Sequence, residues 1–189
     1  MKKRLVTAMI IGFIMLLGYA VFFFITLKDD EEQIRDEVRS AYGEINIVGI
    51  KISDDESSAI VIFERGFDHL GAMTLSKSWF EWDMQESSSE RLPSPMSDGV
   101  FYREYDEYTV LAGKVGWNTS DIKVDIGEER EELSATITEL INLSGSFWYL
   151  ITENDDLSDA VVKVYDEEGN VIAEMDEDVF NGARVDLNN

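Results

Sequence analysis

The feature that most constrains this chain is an uncharged run of 23 residues near its start, Leu5 to Leu27, reading LVTAMIIGFIMLLGYAVFFFITL. As a helix such a run is roughly 35 Å long, and a bilayer's hydrocarbon core is about 30 Å thick. Lys2, Lys3 and Arg4 precede it, while Lys28, Asp29, Asp30, Glu31 and Glu32 follow. Basic residues stay on the cytoplasmic side of a first membrane span, so this asymmetry places the N-terminal stub in the cytoplasm and everything after Lys28 outside. A cleaved signal peptide is the competing reading, since Gly18 and Ala20 are small residues at a peptidase-like spacing. Cleavage there would leave Val21-Phe22-Phe23-Phe24-Ile25 exposed on the mature chain, which favours an uncleaved anchor.

Charge divides along the same line. The sequence has 39 acidic and 16 basic residues for a net charge of −23, and no acidic residue precedes Asp29. A surface of this sign lacks the clustered Lys and Arg that nucleic-acid phosphates require, so a nucleic-acid partner is excluded. It is repelled by anionic headgroups and attracts divalent cations diffusely, or a basic protein more specifically. Cysteine is absent, which rules out disulfides, thiolate metal sites and thiol catalysis. His69 is the single histidine, so a multi-imidazole metal site within the chain is ruled out as well.

The organisation that follows has three parts: residues 1–28 as cytoplasmic stub and transmembrane helix, 29–43 as a juxtamembrane helix, and 44–189 as an acidic extracytoplasmic β domain. In the second part Ile34, Val38, Ala41, Tyr42 and Ile45 recur at helical spacing. Asp29 to Glu32 occupy the favoured first turn and Gly43 suits a stop. From Glu44 onward the period changes to two. Val48, Ile50 and Ile52 alternate with polar or small residues, but Ile45 and Ile47 fall on the opposite phase, so the strand is either bulged or buried on both faces. Ala59 to Phe63 is a continuous apolar run, and Ala72 to Leu75 and Trp79 to Met84 are two more extended pieces, with Phe80, Trp82 and Met84 sharing a face.

Glu86 to Gly99 holds both prolines and a serine cluster and reads as a long loop, with a two-part organisation of the halves around it as one reading. Strand signals resume at Tyr108 to Val115, Ile122 to Ile126 and Phe147 to Ile151. A hairpin follows, Val161 to Tyr165 and Val171 to Met175 around Gly169. Glu128 to Leu143 fits either a helix or a strand, and its neighbours and β-branched threonines favour the strand. In all, about nine short strands imply a mainly β, antiparallel sandwich-like domain.

The segments SSAIVIFERG, WFEW, GKV, DIKVDI, FWYLI and VVKVYDEEGNVIAEM resemble those of small membrane-anchored proteins of Bacillus-type Gram-positive bacteria. The resemblance covers most of the chain. It implies a single N-terminal helix and a compact outer domain, and it brings no assigned activity.

Chemical motifs are scarce. Phosphate loops, GxSxG and HExxH do not occur. His69, between Asp68 and Leu70, reads as a turn histidine rather than a catalytic base. Carboxylates gather in turns at Asp54-Asp55-Glu56, Asp166-Glu167-Glu168 and Asp176-Glu177-Asp178. The best calcium candidates are Asn154, Asp155 and Asp156 with Asp159, because calcium takes six to eight oxygens from such loops, although the EF-hand spacing is lacking. Trp79, Phe80, Trp82, Trp117, Phe147, Trp148 and Tyr149 read chiefly as core, with a ligand platform as the alternative.

The expected function is that of a non-enzymatic, single-pass surface protein, bound to the membrane through Leu5–Leu27, whose outer domain binds another envelope or membrane protein or senses the extracytoplasmic space. A small envelope hydrolase using paired carboxylates and a purely structural surface protein are the alternatives.

Overall fold

A computed structural model describes residues 11–19, 21–22, 28–66, 69–79, 81–92, 100–116, 118–126, 131–139, 146–153, 157 and 159–176. Residues 11–19 and 21–22 are helical, and their apolar side chains, Phe13, Met15 and Phe22 among them, are exposed. Among the described residues no helix is long and apolar enough to cross a membrane. The rest of Leu5–Leu27 lies outside them.

The helix α1 spans Asp30–Tyr42. Its ends are set by local chemistry. The Asp29 carboxylate accepts from the Glu32 N–H at 2.7 Å, and Gly43, at φ 75°, donates its N–H to the Arg39 carbonyl. Such caps satisfy backbone groups that have no partner within the helix. Arg35 reaches back to Glu31, one turn earlier, at 2.6 Å.

Twelve strands follow among the described residues. They are β1 Asn46–Ile52, β2 Ser58–Arg65, β3 His69–Ser78, β4 Glu81–Arg91, β5 Val100–Glu104, β6 Tyr108–Lys114, β7 Asp121–Ile126, β8 Glu131–Ser134, β9 Thr136–Glu139, β10 Ser146–Glu153, β11 Val161–Tyr165 and β12 Val171–Met175. They form three antiparallel four-stranded sheets. The first is the meander β1-β2-β3-β4, the second has the order β5-β6-β10-β9, and the third β12-β11-β7-β8. The mainly β expectation holds, but there are three sheets where a sandwich has two.

The layers stack in the order α1, first sheet, second sheet, third sheet. Ile34 and Val38 of α1 are fully buried against Val61, Phe63, Met73, Leu75 and Trp82. The opposite face of the first sheet, with Ile60, Ile62, Leu70 and Ala72, packs on Phe101, Tyr108, Val110 and Phe147 of the second. The second sheet then turns Leu111, Trp148 and Leu150 towards Ile122, Val124, Val162 and Val164 of the third. The two inner sheets are therefore covered on both faces. That is why Ala59 to Phe63 and Tyr108 to Gly113 are buried at every position, where a half-buried strand would alternate.

Several sequence expectations change in detail. The phase conflict in β1 resolves as a bulge: the register with β2 shifts between Ile47 and Gly49, which leaves Ile45, Ile47, Ile50 and Ile52 towards α1 and Val48 towards the second sheet. The expected loop at 86–99 begins late, because Glu86 to Arg91 continue β4 against β3. A serine-rich strand is unusual by propensity, but Ser87 and Ser88 find tertiary partners in the Tyr42 and Tyr105 hydroxyls, at 2.6 and 2.7 Å. Pro93 and Pro95 lie outside the described residues. A second bulge, between Thr74 and Leu75 of β3, skips Gln85; Trp82 and Met84 both precede it and share a face as expected, opposite Lys77 and Leu75, with Trp82 buried and Met84 40% exposed. The ambiguous stretch 128–143 contains β8 and β9, two strands where one was expected. Only Ala135 separates them, yet they belong to different sheets. The Ala135 N–H, bonded to the Ile122 carbonyl at 2.8 Å, holds that corner.

Polar contacts fix how the layers register. At the start of α1, Asp30 accepts from Lys77 at 2.6 Å and from the Trp82 indole N–H at 3.2 Å. Burial would raise the Asp30 pKa, but the Lys77 and Trp82 hydrogen bonds outweigh it and hold the carboxyl below its usual range. Burying Ile34 and Val38 contributes more, about 1.5–3 kcal/mol each; the Asp30 contacts select where along the sheet the helix sits. Between the first two sheets, Glu64, only 3% exposed, lies 3.8 Å from Lys114. Tyr105 donates to the Ala72 carbonyl at 2.9 Å, and its pKa is pushed up to about 12 by burial.

Two expectations follow. An alanine Cβ at Gly113 would fall 2.6 Å from the buried Trp148 indole nitrogen, so Gly113→Ala is expected to cost about 1–3 kcal/mol in thermal unfolding; Gly116→Ala, whose added Cβ would meet only Thr119 at 3.8 Å, should melt like the wild type. Asp30→Ala strips a shared carboxylate from Lys77 and the Trp82 indole and should cost about 1–3 kcal/mol, with protease cutting within α1 before the sheets unfold.

Candidate functional site

One end of the body gathers the start of α1 with three hairpin turns. The β1–β2 turn is tied to the β3–β4 hairpin by the Lys77 N–H bonded to the Ser57 carbonyl at 2.8 Å. It is tied to the second sheet by the Ser58 and Tyr108 hydroxyls, 2.8 Å apart. Between these elements lies an open cleft of about 300 Å³, lined by Ser53, Asp54, Asp55, Ser57, Ser58, Glu107, Tyr108 and Glu153. Four of those eight are carboxylates. Lys51 answers part of the charge, 3.0 Å from Glu153. Both side chains are well exposed, so that pair contributes at most about 1 kcal/mol.

Asp55 is committed to its own turn. One carboxylate oxygen accepts from the Ser53 and Ser57 hydroxyls, each at 2.7 Å, and from the Ser57 N–H at 3.0 Å. Hydrogen bonds from Ser57 and then Ser53 favour the ionised form and lower its pKa to about 2. A carboxyl held so firmly ionised is a poor proton donor. Its chemistry here is to organise the turn and add negative field to the cleft. Asp166 does the same in the β11–β12 turn, accepting from the Asn170 side chain and N–H and from the Glu168 N–H, with its pKa lowered by those bonds, Asn170 foremost. Two of the acidic turns noted in the sequence thus use a carboxylate as a backbone partner.

The other sequence candidates are dispersed. Asn154, Asp155 and Asp156 lie outside the described residues, and Asp159 is exposed in the turn before β11. No group of three or more His, Asp or Glu side chains is poised for a metal among the described residues. His69 begins β3 in register with Arg65 and Arg91, so it belongs to a ladder rather than to a turn. Glu90, whose pKa is raised by burial against the pull of Arg103, pairs with Leu70 on β4, outside the lining of the cleft. Of the aromatics, Trp82, Phe147 and Trp148 are core and Tyr149 covers Gly49 between the first two sheets. Phe80 and Trp117 are not among the described residues. Trp79 stands apart at 93% exposed, with φ at 48°.

The cleft was not legible as a site beforehand. The DDESS turn was visible, but Glu107 and Glu153 meet it only because the first and second sheets stack with these ends together. Compared with family models, curated proteins and solved structures, the chain matches none. The likeness to small anchored proteins therefore rests on the sequence segments alone.

The lowered pKa of Asp55 has a signed consequence. Its contribution to stability is complete above the unfolded value of about 3.8 and is lost as pH falls through about 2. Melting wild type and Asp55→Asn side by side should show the wild type ahead at neutral pH, with the gap closing across that acidic window. A gap independent of pH would refute the assignment.

Proposed function

We propose that the chain is a single-pass, membrane-anchored protein that holds a rigid, acidic, extracytoplasmic β body against another envelope or membrane protein. The observation that carries this reading is the Asp30 clamp. Three residues after the apolar run ends at Leu27, the chain is fixed to the body by Asp30, Lys77 and Trp82, and one turn later by Ile34. A flexible linker would let the body drift; a docked helix gives it one attitude to whatever holds the run. The exposed apolar side chains of helical residues 11–19 and 21–22 suit a lipid or helical environment. Lys2, Lys3 and Arg4 set the orientation.

The hydrolase alternative draws on the carboxylates of the cleft. The firm ionisation of Asp55 removes that residue from the acid role, because paired-carboxylate hydrolysis needs one acid that retains its proton near neutrality.

In membranes of cells making the full chain, the protein should resist extraction by alkaline carbonate. Protease added to intact protoplasts should destroy an epitope at the C-terminal side. Full-length protein in the aqueous fraction, or an epitope shielded until lysis, would overturn the reading.

A further inference from the structure

We propose that Trp79 is a second membrane contact, an indole that rests in the headgroup region of the same leaflet face from which the chain emerges. The inference builds on the anchor reading above and adds a lipid-binding role to a residue of the body.

Position carries the argument. Trp79 lies in the turn between β3 and β4, and both flanks of that turn grip the start of α1: Lys77 and Trp82 each bond Asp30, at 2.6 and 3.2 Å. From Leu27 to Asp30 the chain can span at most about 10 Å. The hairpin tip is thus tethered at the end of the body where the apolar run arrives, and it cannot swing away without breaking the clamp.

The residue's chemistry fits that place. A single exposed aromatic on a soluble surface is commonplace, but Trp79 is 93% exposed and its backbone sits at φ 48°. Bulky side chains seldom adopt that region, and such strain gathers where a side chain must be presented. Indole combines a large apolar ring with one N–H donor, which is why it concentrates at the water–lipid boundary. Glu56 and Glu81 flank the tip, and Lys77 is occupied by Asp30 with Glu56 at 4.0 Å. Attraction to anionic lipid is therefore not what holds the tip down, and the contact is one of indole with a neutral interface.

The test uses the full chain reconstituted in phosphatidylcholine vesicles, with or without bromine atoms on the upper acyl chain, compared with Trp79→Phe and with Trp79→Asn. Asparagine accepts the left-handed backbone and guards against a folding artefact. Flotation with the vesicles reads the anchor; bromine quenching of tryptophan emission reads the tip. The expected result is that all three proteins float, that bromolipid quenches a component of wild-type emission, and that both variants lose that component. If all three float and are quenched alike, the Trp79 contact is refuted while the anchor stands. If the wild type fails to float, the anchor reading fails and the contact with it.

Discussion

Covering both faces of two stacked sheets is the constraint on which the rest depends. A sheet with one face in water tolerates a polar residue at every second position, whereas the first and second sheets here tolerate almost none along β2 and β6. Among the described residues most polar groups that enter are paired, Glu64 with Lys114, Tyr105 with the Ala72 carbonyl and Ser58 with Tyr108, while the buried Thr152 hydroxyl of β10 is an exception. Leaving any of them unpaired costs more than the pair itself contributes, so these contacts fix register between layers rather than supply bulk stability. Hydrophobic burial makes the stack, and the polar links decide its alignment.

Acidic residues are thereby pushed to the ends and the outer surfaces, where several acquire local work. Asp29 caps α1, Asp55 and Asp166 organise turns, and Asp30 fastens helix to sheet. The charge balance of the chain overstates how many carboxylates are free to bind anything. Among the others, Asp54, Glu107 and Glu153 face the cleft and give that end a negative field. That field and the exposed Trp79 share the end nearest the start of α1.

Much of this architecture was legible in sequence. Helix α1 was legible from the apolar spacing after its acidic first turn and from Gly43 at its end, although the Asp29 cap was not, and the β11–β12 hairpin from Gly169, because these signals are local. Ile45, Ile47 and Val48 announced a conflict that only the ladder with β2 could resolve as a bulge. The serines of β4 misled because a polar run with nearby prolines has the composition of a loop, and the hydroxyls that accept it, Tyr42 and Tyr105, lie far away in the chain. The third layer escaped notice since a strand covered on one face reads the same whichever sheet covers it. The candidate site was the least visible part, assembled from the β1–β2 turn, the β5–β6 turn and the end of β10, which meet only through stacking.

The outermost edge carries its own implication. Strand β12 is exposed along Val171 to Glu174, with Val171 and Ile172 at 50 and 47%, and among the described residues no strand pairs with its outer side, which offers a ready template for another strand. Glu167 and Glu168 precede it and Glu174 and Asp176 accompany its far end. Two copies meeting edge to edge would bring these like charges together, on bodies already strongly negative. Crowded molecules of this protein should therefore keep a lateral spacing from one another rather than join along this rim.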